Sequence, residues 1–383
     1  MKIYRNFLLP TGLLAGTIIG AGVFALPFVF LKAGLASGFF YLALGTGAYL
    51  LIHLFYADII LRTEGEHRFV GYAQIYLGRT AFWLSILMAV LEMIFVLTIY
   101  LVLSASFANL IGGAGAGLFK VLIFWVLGSA AIFLSLKRVA FLEFLITWGM
   151  VLIIGLIFVL GLGKLDKIGA VDFYPDFLNF LVPLAPVLFA LSGRVAIPSL
   201  VKYFRIPGVG HNHALIKKAI FAGTVIPAVV YAFFVFGVLG LSNAVSEDSV
   251  SGLLGQVPNF VLAIIGVLGI LSLWSSYIVV GLDVESILRY DLKVSKALRI
   301  ALVVLAPLAL YFLSSQDFIG LVGFVGGIFL GLEGIFIILM WLRARKAAPP
   351  KPALINKTSW LIIGFLLLTF LSALVYELMK PLN

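Results

Sequence analysis

Apolar residues in this chain gather in long uninterrupted runs, separated by short polar connectors. Eleven runs lie at about 6–31, 34–61, 81–111, 118–136, 139–162, 177–204, 215–241, 257–283, 297–313, 317–342 and 358–379. Most match the ~20 residues that an α-helix needs to cross the hydrocarbon core. The pattern predicts an all-α polytopic membrane protein with about eleven transmembrane helices. The first run follows Lys2 and Arg5, as the apolar part of a secretory signal would. It is too long for that role and leads straight into further spans, so it reads as the first helix.

Composition narrows the class. Of 383 residues, 63% are hydrophobic and 11% charged, against about 45–50% and about 25% in globular chains. Eleven spans leave no room for a second soluble domain. The chain has no cysteine, which excludes disulfides, thiolate nucleophiles and iron–sulfur clusters. A net charge of +10 would suggest nucleic acid in a soluble protein, but here its distribution decides. With the N-terminus in the cytoplasm, twenty of the 26 Lys and Arg lie on the inner side. Five lie outside (Lys32, Lys120, Lys164, Lys167 and Lys380), and Arg194 lies within a span. This bias orients the chain with its C-terminus outside, and the location expected is the plasma (inner) membrane. The basic charge is a topology signal, and no nucleic-acid partner is expected.

The connectors add little soluble mass. The longest inner one, Thr63 to Thr80, mixes Phe69, Val70, Tyr72, Ala73, Ile75, Tyr76 and Leu77 with charges, which predicts a helix on the membrane surface. A basic linker at 343–357, with Pro349, Pro350 and Pro352, sets the last helix apart. The outer turn from Gly112 to Gly117 follows no strand and opens no phosphate-binding helix, so no nucleotide and no other cofactor is expected.

One motif occurs twice. Ala21 to Pro27 (AGVFALP) and Ser192 to Pro198 (SGRVAIP) both read small–Gly–x–apolar–Ala–(Leu/Ile)–Pro, one in the first span and one in the sixth. An offset of five helices is odd, so the two copies cross the membrane in opposite directions. Gly adopts unusual dihedrals, and Pro removes a backbone donor and clashes with the preceding turn. Each helix can therefore unwind near the midplane, which is tolerated only where backbone faces protein or a watery cavity. Inverted repeats with paired, interrupted spans point to a secondary transporter with its site at the breaks. The competing reading is helix packing, since Gly12, Gly16 and Gly20 are spaced by four.

These residues resemble a known family. The run from Gly16 to Pro27 (GTIIGAGVFALP) is similar to the first helix of amino-acid permeases in the amino acid–polyamine–organocation superfamily. Ile197 to Phe204 (IPSLVKYF), Gly71 to Arg79 (GYAQIYLGR), and Ser275 and Ser276 followed by Gly281 to Asp283 resemble its bacterial tryptophan/tyrosine permease branch. The resemblance covers essentially the whole chain. It implies a five-plus-five inverted repeat with discontinuous helices 1 and 6 and one extra C-terminal helix. The divisions expected are 1–162, 177–342, the linker 343–357, and 358–383. It also implies amino-acid uptake coupled to an ion gradient, usually protons. Arg194 departs from the small or uncharged residue expected there, which opens the substrate range and the coupling ion to question.

The substrate site expected from the two breaks comprises Gly16, Thr17, Gly20, Ala21, Gly22, Ala190, Ser192 and Gly193, with Tyr100 and Phe189 as ring walls. Lipid or core packing is the alternative for both rings. Three charges lie deep in spans: Glu92, Arg194 and Glu333. Each costs about 3 kcal/mol or more at the bilayer centre unless paired or hydrated. They can form a structural ion pair, contact substrate, gate the site or carry the coupling proton. Ser272, Ser275 and Ser276 share one helix face. They offer either an oxygen cage for sodium or hydroxyls bonded to their own helix. Asp58, Glu143, Asp283 and Glu285 read as interfacial partners of nearby Arg and Lys. His53 reads as packed or hydrogen-bonded, and His211 and His213 as solvated loop residues.

Other classes fit poorly. Ala190 to Gly193 lacks the leading glycine of a membrane serine protease, and no His-Glu-x-x-His occurs, so an enzyme is not expected. No filter-like repeat suggests a channel. A sensor that binds an amino acid without moving it remains a rival. The reading is a monomeric, proton-coupled symporter for aromatic or large neutral amino acids, with a sodium-coupled symporter or exchanger as alternative. Its partners are the substrate, the coupling ion and the bilayer.

Overall fold

A computed structural model describes residues 4–113, 115, 117–133, 139–163, 177–205, 213–314, 316–347, 354–355 and 358–380, without the side chains of 4–5, 139–147 and 177. Among these residues there is no strand, and every apolar run falls on helix. The first run forms α1 (Leu9–Ile18) and α2 (Leu26–Ala33), and the second forms α3 (Leu35–Arg62). After the connector helix α4 (Phe69–Leu77) come α5 (Arg79–Gly112), α6 (Gly117–Phe133) and α7 (Val139–Leu162). The sixth run holds α8 (Phe177–Leu181), α9 (Leu184–Leu191) and α10 (Ala196–Tyr203). Beyond it lie α11 (His213–Leu241) and α12 (Asn259–Ser286). α13 (Lys296–Ile300) and α14 (Ala306–Leu313) share one span through a π turn. So do α15 (Phe318–Phe324) and α16 (Leu330–Ala347), and α17 (Trp360–Met379) closes the described chain. By length and hydropathy seven of the described helices can each cross a bilayer, or nine if each bent pair counts as one span.

Small residues let the helices close up. α7 lies along α11, where a Cβ on Gly237 would stand 2.7 Å from Phe158 Cα. Such contacts hold membrane helices together, because burial from lipid supplies no hydrophobic drive. α5 lies along α12, and α1 along α11. α1 also packs on α10, while the 3₁₀ turn Ala21–Ala25 packs on α9. The first half of each broken span thus meets the second half of the other, and the two spans run antiparallel.

Polar contacts collect four connectors at one end, here called the basic end. Arg68 Nη1 reaches Asp291 Oδ2 at 3.3 Å, and Lys202 Nζ reaches Glu66 Oε2 at 2.9 Å. Arg205 donates to the Ile60 carbonyl at 3.4 Å and Arg343 to that of Tyr76 at 3.5 Å. Glu285 pairs with Arg299 at 3.2 Å, as an interfacial carboxylate should. The connector helix α4 buries Phe69, Val70, Tyr72 and Ala73 and exposes Gln74 and Ile75.

Asp58 differs from the sequence reading. Arg62 Nε does donate to it at 2.9 Å, as expected, but the carboxylate is fully buried within the protein. It also accepts Trp341 Nε1 at 2.8 Å and the Leu354 amide at 2.8 Å, while Arg62 reaches the Ile355 carbonyl at 3.4 Å. The Trp341 ring stacks on Phe55 at 4.0 Å between centroids. With Arg62 these make three donors, which satisfy the carboxyl oxygens at that depth. The expectations for Lys137, Arg138, Lys164, Lys167, His211, the three linker prolines and the Glu143 side chain lie outside the described residues.

Candidate functional site

Both motif copies break their helix. In the first span the last regular bond runs from Ile19 N to the Ala15 carbonyl at 2.9 Å. Ile19 and Gly20 are then extended, a 3₁₀ turn covers Ala21–Ala25, and α2 restarts with Pro27 in its first turn. Proline suits that place because its missing N–H would have no partner there. The two halves meet at 49°. In the sixth span α9 ends at an extended Ser192 and α10 resumes at Ala196, with a bend of 41°.

The breaks face each other closely. A Cβ on Gly22 would stand 2.5 Å from Ala190 Cα, and one on Gly193 would stand 2.6 Å from Ile18 Cγ1. Between the broken spans, α5, α12 and the α15–α16 span lies a cavity of about 150 Å³. Engineered cavities of roughly 150 Å³ accept benzene, so the space is on the scale of one aromatic ring.

The cavity has two tiers. α5 starts at the basic end and reaches Glu92 before Tyr100; α12 and α16 run towards that end and place Asp283 and Glu333 beyond Ser276 and Leu330. Charged lining residues therefore lie nearer the basic end, and Tyr100, Phe189 and Val325 lie farther from it. Among the lining residues, Thr17 is exposed and Val195 is 47% exposed, whereas Tyr100 and Val325 are buried. Thr17 and Val195 adjoin the half-helices that lead to the basic end, so the cavity opens that way.

Arg194 Nε donates to Glu333 Oε2, both groups being buried. The guanidinium also lies 4.6 Å from the Phe69 ring centroid. One side chain thus joins the sixth-span break, α16 and α4. Glu92 and Asp283 are half-buried and make no ion pair among the described residues. Three carboxylates share the charged tier with one guanidinium.

Most of the expected site residues converge here. Gly16, Thr17, Gly20, Ala21, Gly22, Tyr100, Phe189, Ser192, Gly193, Glu92, Arg194 and Glu333 all line the cavity. Ala190 is not among the lining residues; it is buried against Gly22, and its carbonyl accepts Tyr231 Oη at 2.9 Å. Of the three serines Ser276 lines the cavity, while Ser275 Oγ bonds back to the Ser272 carbonyl at 3.1 Å. The Thr17 hydroxyl bonds back to Leu13 at 2.9 Å. His53 Nδ1 lies 3.0 Å from Thr224 Oγ1, the hydrogen bond expected of it. Among the described residues no group of three or more His, Asp or Glu could hold a metal ion.

Asp283 corrects the sequence reading, since it faces the cavity and not the interface. It lies two helical turns beyond Ser276 on the same face, a spacing that could have revealed it. Tyr231 gave no signal: it is one buried aromatic among many.

A sequence model of the tryptophan/tyrosine permease family matches residues 4–376. No curated protein matches the chain. Among solved structures it is similar to Mhp1, a nucleobase–cation–symport-1 family transporter in a closed conformation with bromovinylhydantoin bound. That match has a TM-score of 0.62 at 16% identity and covers 98% of this chain and 90% of that one. It is similar to MhsT in complex with L-phenylalanine, with TM-score 0.62, 15% identity, and 98% and 97% coverage. A mutant manganese transporter from Eremococcus coleocola matches at TM-score 0.62 and 15% identity, with 99% and 86% coverage. At these identities the likeness establishes a shared fold.

Proposed function

The chain belongs to the tryptophan/tyrosine permease family, and from that premise we propose that it takes up aromatic or large neutral amino acids by proton symport with alternating access. It is an integral membrane transporter and not an enzyme. The observation that carries the finer reading is the ring-sized cavity at the two breaks, with an apolar tier beside a charged one. Unwound backbone supplies free amides and carbonyls for a zwitterion. Tyr100 and Phe189 supply apolar walls for a large side chain, in keeping with the L-phenylalanine bound by the similar MhsT.

Charge balance favours the proton. One guanidinium facing three carboxylates leaves negative charge that must be offset when the cavity closes and water leaves. A substrate ammonium offsets one charge and a proton another. Desolvation disfavours a charged carboxylate, so a carboxylate alternating between wet and dry states loads and releases a proton in step with the cycle. The reading places the N-terminus in the cytoplasm, on the basic side, and groups 1–162 and 177–342 as inverted halves, with 343–357 as linker and 358–383 as the added helix.

Proteoliposomes test this directly. Counterflow of labelled substrate separates a transporter from a sensor. Competition among tryptophan, tyrosine, phenylalanine, serine and alanine should favour the aromatic three. An imposed pH gradient should drive accumulation. Sodium-driven accumulation indifferent to pH would refute proton coupling and return attention to Ser276.

A further inference from the structure

Breaking two helices sets backbone carbonyls free, and in a membrane interior each one left without a donor costs several kcal/mol. Ile18 closes α1 and Ala190 lies in the last turn of α9, where a helix provides no amide for its own carbonyls. Both are served by a single group. Tyr231 of α11, fully buried, places its Oη 2.6 Å from the Ile18 carbonyl and 2.9 Å from the Ala190 carbonyl. A tyrosine hydroxyl has one proton to donate, so the two carbonyls share it or hold it in turn. Each half-helix end also carries partial negative charge. Two such ends repel, and the proton between them offsets that repulsion.

The contact sits where the halves would have to move. α1 rests on α11 through Gly223, where a Cβ would stand 2.8 Å from Leu14 Cβ, so a larger residue would wedge the helices apart. Pro227 lies inside α11 between Gly223 and Tyr231 and removes one rung of its ladder. A bond confined to one break would only patch that break. This one belongs to both, so relative motion of the breaks changes which carbonyl it serves.

We propose that Tyr231 is a positioning residue that couples the two breaks. Its hydroxyl holds the ends of α1 and α9 together while the cavity is open to the basic end. When the half-helices part, the proton passes wholly to one carbonyl, so the hydroxyl keeps a partner in both states. This role rests on the alternating-access reading above.

The native chain has no cysteine, so one reporter can be added without removing others. Val195→Cys lines the cavity at an exposed position, and its rate of labelling by a charged maleimide in permeabilised membranes reports how much protein is open. Adding Tyr231→Phe should slow labelling about threefold or more by shifting the population away from this state, with the membrane level unchanged. An unchanged rate overturns the proposal. If Tyr231→Phe fails to accumulate, Tyr231→His, which keeps a donor, must restore both accumulation and the parental rate; failure of the histidine variant also overturns it. Labelling needs no substrate. An absence of amino-acid uptake in the parent would refute the transport reading and leave the rate comparison intact.

Discussion

The two broken spans carry the same motif and use it differently. At the first break the chain is bare: Gly20, Ala21 and Gly22 bring no functional side chain, and Gly22 lies against the backbone of Ala190. At the sixth the position that matches Val23 carries Arg194, paired with Glu333 and stacked on Phe69. One break is a backbone device, whereas the other is a backbone device with a permanent charge fastened to two neighbours. A shared local geometry therefore does not imply a shared role, because unwinding determines where backbone is exposed and the side chain determines what is held there.

The largest effect should come from the charge. Arg194→Gln or Glu333→Gln leaves one buried partner uncompensated and should cost about 3–5 kcal/mol. The joint change Arg194→Met with Glu333→Leu should recover much of that stability without uptake. Thermal unfolding with parallel uptake measurements checks both. If either single variant matched the parent, the two breaks would be more alike than described here.

Steric effects come next. Overpacking costs about 1–3 kcal/mol. Gly22→Ala should lie at the upper end, because Ala190 Cα cannot move aside. Gly193→Ala meets side-chain atoms of Ile18 and Leu14, which can rotate. Thermal unfolding should show the larger loss in the first, and uptake should fall in the same order. The reverse order would assign the rigid contact to the wrong break.

Phe69→Leu should have a smaller effect, since a cation–π contact is worth about 0.5–2 kcal/mol. Among the described residues only the sixth break has this tether to α4, so the variant should change uptake while membrane insertion stays parental. An unaltered rate would make the stacking incidental. The exposed pair at the end of α10 should matter least. Lys202 beside Glu66 holds that carboxyl below the ordinary glutamate value. A depressed value stabilises the folded state above the unfolded-state value, and that stability is lost as pH falls through the folded one. The melting difference between the parent and Glu66→Gln should be small at neutral pH and vanish in acid; a difference that grows in acid would reverse the sign.

The breaks were legible because glycine and proline carry conformational information in one letter each, and their recurrence five helices apart doubled the signal. Glu92, Arg194 and Glu333 were legible because charge is expensive in a span. Asp283 was misread because its distance from the span end was weighed and its register with Ser276 was not. Ala190 was misplaced because sequence adjacency to a break does not say which way a side chain points. Ser275 has a choice of acceptors that only coordinates resolve. Tyr231 had no mark at all, since its two partners lie 213 and 41 residues away.

Asp58 has a consequence for synthesis. Its carboxylate leaves the ribosome with Arg62 only four residues behind, but Trp341 follows 283 residues later and Leu354 follows 296 residues later. At ~5–20 residues per second the last donor arrives roughly 15–60 s after the acceptor. During that interval the end of α3 must keep its carboxyl near water, so the basic end can lock only after Leu354 has been made. Translation order thus makes closure of this buried charge a late checkpoint on assembly.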